Sequence, residues 1–365
     1  MFKREFWQQF DYLLFGGVLI LCIFGIAMIQ SAIAGNQQIA NSVSRQVIFV
    51  VGGMAVLFLT STIDYRYLSS LTRIMYIVSV LLLMAIFIIG TAVYGSARWF
   101  DTGVILIQPS ELVKTIMIVI LADYFYKTQD QEKNLNWILK SFLITASVVV
   151  WIFIQPNLSM SIVIFVIWFS LLWYAGLPFK YLLIFGLVGI LLGIVGFNIL
   201  EDYQQTRILN FLFPDPNARY GETYNVDQAK ISIGSGGLFG MGYGQGSQVQ
   251  LRFLKVRHTD FIFSAIAHEF GFIGTVSIMS ILVFVIYRCF RVGQKASDMF
   301  GQLIAFGVGT LLFFQMAVNI GVNLNVIPVT GLTLPFISYG GSSLASLLLG
   351  IGFVESVAAH RHKNN

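Results

Sequence analysis

The stretch Arg257-His-Thr-Asp-Phe-Ile-Phe-Ser-Ala-Ile-Ala-His-Glu-Phe-Gly-Phe-Ile-Gly-Thr-Val-Ser-Ile-Met-Ser-Ile-Leu-Val-Phe-Val-Ile-Tyr287 passes from a charged lip into an apolar run within four residues. The run 261–287 exceeds the roughly 20 apolar residues that cross a bilayer. It does not alternate, so it reads as helix rather than barrel strand. In hydrocarbon only helices and closed barrels satisfy their own backbone groups. Similar runs occupy 12–30, 47–63, 74–94, 107–126, 142–154, 158–175, 181–200, 300–320 and 334–357. The fifth is short, and Pro156 separates it from the sixth, which predicts a tight hairpin there. The expected fold is all-α: a polytopic membrane protein of about ten transmembrane helices. Composition agrees, with 57% hydrophobic and 11% charged residues and a mean hydropathy of +0.79, against roughly 25% charged in soluble domains.

Charge placement orients the bundle. With the N-terminus in the cytoplasm, the inner loops and tails hold Lys3, Arg4, Arg66, Arg73, Lys127, Lys133, Lys140, Lys180, Arg288, Arg291, Lys295, Arg361 and Lys363. The short outer loops hold only Arg45 and Arg98. The positive-inside bias therefore puts both termini in the cytoplasm and the long segment 201–259, between helices 7 and 8, outside. Its length and its Tyr, Phe, Ile and Leu content predict short helices on the membrane surface, with a turn at Pro214-Asp-Pro-Asn217. The apolar run after Lys3 and Arg4 is too long for an ordinary signal-peptide core, so it reads as the first span. Residues 1–365 form one integral membrane domain. Scattered cations and the lack of a basic soluble domain argue against nucleic acid. Cys22 and Cys289 sit in or beside apolar helices without metal or redox spacing, as buried small hydrophobes do.

Four groups of residues could carry chemistry. Asp260 stands at a membrane lip beside Phe261 and Ile262, where desolvation raises a carboxylate toward the pKa of a general base. Arg257 and His258 oppose that shift. A plain helix N-cap explains the same aspartate. Glu111 and Lys114, in Gln108-Pro-Ser-Glu-Leu-Val-Lys114, place charge inside a span; a self-satisfied i, i+3 pair is the structural alternative. The outer cations Arg45, Arg98, Lys114, Arg207, Arg252, Lys255 and Arg257 suit a diphosphate or ordinary anionic headgroups. The glycine-rich segment Gly234–Gly246 and Ser338-Tyr-Gly-Gly-Ser-Ser343 permit close backbone approach or an anion nest, but match no Walker or dinucleotide fingerprint. Gly340 and Gly341 equally suit close helix packing. The histidines 258, 268, 360 and 362 show no metal-ligand spacing.

Taken in order, these motifs resemble the SEDS family of bacterial cell-wall polymerases, the group of RodA, FtsW and SpoVE. The resemblance rests on Arg45-Gln46, Arg98-Trp99, Gln108-Pro-Ser-Glu111 with Lys114, Gln155-Pro156, and Arg207 before Pro214-Asp-Pro216. It continues through Gln228 with Ile233-Gly-Ser-Gly-Gly237, His258-Thr-Asp-Phe-Ile-Phe263, Gly271-Phe-Ile-Gly274, Asn319 and Leu334-Pro-Phe-Ile-Ser-Tyr-Gly-Gly-Ser-Ser343. Pro328-Val-Thr-Gly331 looks more like the RodA branch, hence cell elongation and shape. The resemblance implies a peptidoglycan glycosyltransferase of the bacterial cytoplasmic membrane. Its substrate is then lipid II, polymerised on the outer face. Asp260 matches the family's essential aspartate. Arg45, Arg98, Glu111, Lys114, Arg207, Gln228, His258 and Ser338 become substrate-binding candidates. The implied partners are a class B penicillin-binding protein, a single-span transpeptidase, and other membrane proteins of the elongation complex. A divalent cation, Mg or Mn, could bridge diphosphate and carboxylate, but no ligand set is legible.

The chain also departs from the family pattern. Asn157 replaces the usual Asp after Gln155-Pro156. Leu106 stands where some relatives have arginine, and Lys255-Val256 replaces the common Pro-Glu. Two rival classes stay open at this level. A lipid II flippase fits an intramembrane polar path, although no internal repeat is evident. A non-enzymatic scaffold fits the long outer loop, but has no need of an aspartate at the lip.

Overall fold

The computed structural model describes residues 4–33, 41–89, 91–93, 96–101, 106–215, 220–251 and 253–361. Fourteen α-helices lie among them. A short α1 (Arg4–Gln9) leads into α2 (Tyr12–Ile33), α3 (Ser42–Thr62), α4 (Arg66–Ile89), α5 (Pro109–Lys127), α6 (Leu135–Ile154), α7 (Leu158–Tyr174) and α8 (Phe179–Gly196). Three short helices follow: α9 (Asp202–Leu212), α10 (Gly221–Ser235) and α11 (Ser247–Gln250). The bundle then closes with α12 (Ile262–Gln294), α13 (Met299–Asn323) and α14 (Gly341–Ala359). The protein is thus a polytopic, all-α membrane protein.

Each expected span has its helix. Seven are long and apolar enough to cross a membrane by length and composition: α2, α3, the 66–86 part of α4, α6, α12, α13 and α14. Of the others, α7 has 17 residues, α8 has 18, and α5 carries Glu111, Lys114, Asp123 and Lys127. The fifth span is not short. It starts at Leu135 and runs 20 residues, because Asn134 caps it by accepting from the Trp137 backbone N–H at 3.0 Å. Its first turns pair buried Trp137 and Ile138 with exposed Asn136 and Lys140, so polarity hid a helix that geometry requires. The last span begins at Gly341, not 334, since Ser338 and a left-handed Phe336 (φ 65°) bend the preceding segment. The structure also adds three short antiparallel strands, β1 (Thr91–Val93), β2 (Ser96–Asp101) and β3 (Leu106–Ile107), in that order. They are too short to register as alternation.

The core is built around α5, α13 and α14, which are buried on most sides. Helices α3 and α14 lie close enough that a Cβ on Gly352 would meet the Thr60 hydroxyl at 1.9 Å. Small residues allow such approach where lipid supplies no hydrophobic drive between helices. Large apolar side chains of α3 and α4, including Ile48, Val51, Leu59, Ile74 and Leu81, remain exposed, as the lipid-facing surface of a bundle requires.

Both ends of the chain meet on one face. The Asp11 backbone N–H, just before α2, donates to Glu355 at the end of α14 at 3.0 Å. Arg288 of α12 pairs with the Asp11 carboxylate. The continuous part of α12 after Gly271, at 1.5 Å per residue, spans about 35 Å away from this face, toward the end of the bundle that carries Asp260.

Candidate active site

The end of α12 that carries Asp260 is set by a break. Gly271 has φ 66° and ψ −168° inside α12, so Ile262–Phe270 is a separate half-helix. A break at membrane depth exposes backbone groups that must find partners. The glycine-rich segment supplies them. Met241 and Gly242 N–H groups donate to the His268 and Glu269 carbonyls at 3.0 and 2.9 Å. Phe272 and Ile273 N–H groups donate to the Gly237 and Leu238 carbonyls at 2.8 and 3.1 Å. The approach is backbone on backbone: a Cβ on Gly271 would lie 2.3 Å from the Gly240 nitrogen, and one on Gly236 would lie 2.0 Å from the Ala267 carbonyl oxygen. These glycines permit close backbone approach, one of the two readings open for this segment in the sequence. Side chains add to the splice. His268 contacts the Ser235 hydroxyl at 2.9 Å, and Glu269 accepts from Ser31 of α2 at 2.5 Å.

The peptide 258–260 is then clamped from two sides. The Ser338 hydroxyl donates to the Thr259 carbonyl at 2.8 Å, and the Tyr339 N–H donates to the His258 carbonyl at 2.9 Å. From α13, the Asn319 and Asn323 amides donate to the Asp260 carbonyl at 3.1 and 2.9 Å. Asn323 also accepts from the backbone and hydroxyl of Ser264 at 3.1 and 2.6 Å. The backbone under Asp260 is therefore fixed, while the residue as a whole remains partly accessible. Asp260 also precedes the cap position, which Phe261 holds. The N-cap reading of the aspartate is not the geometry found.

Electrostatics make this carboxyl basic. Protein crowds it enough that desolvation dominates and raises its pKa from 3.8 to about 6. Arg207 pulls the value down, Glu222 pushes it up, and a hydrogen bond from Thr259 lowers it. Arg207 of α9 and Glu222 of α10 themselves form an ion pair at 2.7 Å. They line a cavity of about 250 Å³ with Asn210, Lys230, Asn325 and Val329. Burial, then Arg257, lowers the His258 pKa to about 4, so its imidazole is neutral near pH 7. Beside this end of α12 lies an apolar groove of about 650 Å³, lined among others by Ile233, Phe263, Met279, Ile320 and Leu324. Among the described residues, no group of three His, Cys, Asp or Glu side chains is placed to hold a metal ion.

The other sequence candidates fall into distinct places. Arg207 and His258 stand with Asp260. Ser338 is buried, its hydroxyl committed to the backbone clamp. Gln46 reaches the Ser338 carbonyl at 3.4 Å, which puts the exposed Arg45 one residue from that clamp. Gln228 is half-buried on α10. Arg98 donates to the Gln155 carbonyl at 2.8 Å and to Tyr203 at 2.7 Å, joining β2, the α6–α7 turn and α9. Arg257 is buried and donates to carbonyls of Ala32 and Leu254, while Lys255 lies over the Tyr220 ring. Glu111 and Lys114 pair with each other deep in the bundle, and among the described residues none of their hydrogen bonds reaches Asp260. Arg252 and His362 lie outside the described residues, as do Pro216 and Asn217 of the expected turn. Asn157 caps α7 by accepting from the Met160 N–H at 3.3 Å. That role needs an oxygen, not a charge, which accounts for Asn in place of Asp. The sequence reading missed Glu222 and Asn323. Glu222 sits in a polar surface helix with no local sign of its partner, whereas Asn323, four residues after Asn319 on one face of an apolar span, was a readable signal.

Comparison with known proteins covers nearly the whole chain. The family described as "Cell cycle protein" (FtsW, RodA, SpoVE) matches residues 10–363. Peptidoglycan glycosyltransferase MrdB of Escherichia coli K12 is 31% identical over 362 residues, covering 98% of this chain and 96% of that protein. Stage V sporulation protein E of Bacillus subtilis is 32% identical, covering 96% and 97%. Among solved structures, a chain from work on "polymerization and crosslinking by a peptidoglycan synthase complex" matches with TM-score 0.82 at 29% identity, over 97% of this chain and 99% of that one. The rod shape determining protein RodA of Thermus thermophilus matches with TM-score 0.72 at 29% identity, over 97% and 98%. A clamped aspartate at the mouth of a polytopic bundle, and likeness along almost the entire length, lead to one conclusion: the chain belongs to the FtsW/RodA/SpoVE family of cell cycle proteins.

Proposed function

We propose that this protein is a peptidoglycan glycosyltransferase that polymerises lipid II at the outer face of the bacterial cytoplasmic membrane, with Asp260 as general base. The observation that carries the site assignment is Asp260 itself, a partly accessible residue on a rigidly clamped backbone, with its carboxyl pKa raised to about 6. A base poised near the working pH gives the best compromise between ionised fraction and basicity. The names of relatives such as MrdB support the activity.

Lipid II presents a disaccharide on a diphosphate carried by a polyprenyl chain. The acceptor 4-hydroxyl attacks the anomeric carbon of the donor. Its proton passes to Asp260, the C–O bond to the diphosphate breaks, and polyprenyl diphosphate leaves with the electron pair. An α-linked donor gives a β-linked product in one inverting displacement, so one carboxylate suffices. Arg207 faces the developing negative charge, and Lys230 lines the same cavity. Fixed cations stabilise a leaving diphosphate without reorganising at the moment of reaction. Neutral His258 can donate or accept a hydrogen bond near the nucleophile. The apolar groove beside α12 offers a bed for an isoprenoid chain. Glu111 and Lys114 shape the bundle beneath the site and orient each other.

In the cell, this reading pairs the protein with a crosslinking transpeptidase of the class B type, within an elongation complex. Support comes from the likeness to a chain of a peptidoglycan synthase complex. The deciding experiment is polymerisation of purified lipid II in detergent by wild type and Asp260→Asn, each with and without the cognate transpeptidase. Polymer from wild type alone is expected. Equal polymer from both moves the base elsewhere. None from either, with lipid II moved across vesicle bilayers instead, replaces the polymerase by a transporter.

A further inference from the structure

The face of the bundle opposite Asp260 carries a second concave site. A recess of about 70 Å³ is lined by Asp11, Arg288, Arg291, Val292, Lys295 and Arg361. Three elements build it: the segment before α2, the last turns of α12 and the segment after α14. Arg288, Arg291 and Lys295 recur at spacings of three and four, so α12 presents them along one face. The hydrogen bond from Asp11 to Glu355 draws Arg361 to the same place.

The charges do not balance. Arg288 is paired with Asp11. Glu355 is fully buried, gives one oxygen to the Asp11 N–H, and has no hydrogen-bond partner for the other. Arg291, Lys295 and Arg361 form no ion pair among the described residues. Four cations and one carboxylate, Asp11, thus line one small cavity, with the Glu355 carboxylate buried behind Asp11. At 70 Å³ the cavity exceeds the roughly 10–15 Å³ of such volume that one water needs, which leaves room for a single small tetrahedral anion. The recess lies where α2 begins and where α12 and α14 end, and the ends of spanning helices meet the headgroup region of a bilayer. Guanidinium groups there match phosphate oxygens in a bidentate manner.

We infer that this recess is a phosphate-binding site, filled by the phosphodiester of an anionic phospholipid or by free phosphate. Its role is to tie the ends of α2, α12 and α14 together across the membrane boundary. It is independent of the polymerase reading, because it shares no residue with the Asp260 end.

The test uses the full-length protein in neutral detergent after delipidation. Dioleoyl phosphatidylglycerol, dioleoylglycerol and inorganic phosphate are titrated separately. Bound molecules are counted by native mass spectrometry, and the thermal midpoint is followed. Wild type should bind phosphatidylglycerol saturably with a rise in midpoint, and should not bind dioleoylglycerol. Each cation at such a surface contributes roughly five-fold, so Arg291→Gln/Lys295→Gln/Arg361→Gln should bind about 100-fold more weakly. Saturation by inorganic phosphate alone, lost in the same variant, also supports the site and identifies the free anion as sufficient. Should the triple variant misfold, Lys295→Gln and Arg361→Gln singly, on partly or fully exposed side chains, should each lose several-fold. Equal binding by wild type and variants, or equal binding of dioleoylglycerol, would overturn the inference.

Discussion

The Arg207 guanidinium lies 2.7 Å from the Glu222 carboxylate, and both charges act on Asp260. The pair is therefore a tuning device as well as a tether between α9 and α10. Glu222→Gln removes a negative neighbour and frees the positive charge, and both changes lower the Asp260 pKa. The acid limb of the polymerisation pH profile should then move down by about 0.5–1 unit. Arg207→Gln should move it up and also weaken diphosphate stabilisation. Profiles that coincide with wild type would separate the pair from the base.

Asp260→Asn should reduce polymerisation by roughly 10²–10⁴-fold, the usual contribution of a positioned base. It should also raise stability. The unfolded carboxyl ionises near 3.8 and the folded one near 6, so the folded state holds the proton more tightly. Charge on Asp260 therefore opposes folding, with the penalty absent below pH 3.8 and complete above pH 6. The asparagine variant should melt a few degrees higher at pH 7.5, with the difference vanishing toward pH 4. A lower midpoint for the variant at pH 7.5 would contradict the raised pKa.

Gly271→Ala should destabilise the protein by more than about 2 kcal/mol. The substitution forces a side chain onto φ 66° and into the Gly240 backbone. It should displace the glycine-rich segment and remove activity with it. Gly52→Ala is the control: a Cβ there meets nothing within 4 Å, so thermal unfolding should be nearly unchanged or slightly favoured by the better helix former. Similar midpoints for the two variants would show that the break needs no glycine.

Asn157→Asp should leave polymerisation within about two-fold of wild type, because the cap uses an oxygen. Asn157→Ala should lose about 1 kcal/mol of stability. A large rate gain with aspartate would restore a role for charge at that position.

The Glu111–Lys114 pair is almost fully shielded. Lys114→Met alone strands a buried carboxylate and should destabilise by about 3–5 kcal/mol. Adding Glu111→Gln should recover most of that. Lipid II turnover by the stable double variant decides the role: near-normal rates mark a packing pair, and loss of rate in a well-folded protein marks a part in binding or catalysis.

Much of this arrangement is legible in the residues themselves. Span positions follow from the run of apolar side chains, since lipid penalises polar backbone and charge alike. Polar first turns, as at Asn136 and Lys140, blur the boundaries because they sit at the interface and still hydrogen-bond as helix. Asp260 stands out because charge at a membrane lip is rare. The cations do not sort themselves in this way. Arg98, Arg207 and Arg257 look equivalent in sequence, yet one joins β2 to the α6–α7 turn, one faces Asp260, and one is buried against carbonyls.

Residue order alone was enough to read a bilayer protein of about ten helices, the family it resembles, and Asp260 as the candidate base. Those conclusions need only local facts: hydropathy over about 20 residues and short motifs in order. It took the folded arrangement to show that Glu222 modulates Asp260, that Ser338 and Asn323 hold the backbone of 259–260, and that the glycine-rich segment repairs a broken helix. Each joins residues at least tens of positions apart in sequence, and hydrogen bonds and charge act over ångströms of space, which the order of residues does not state.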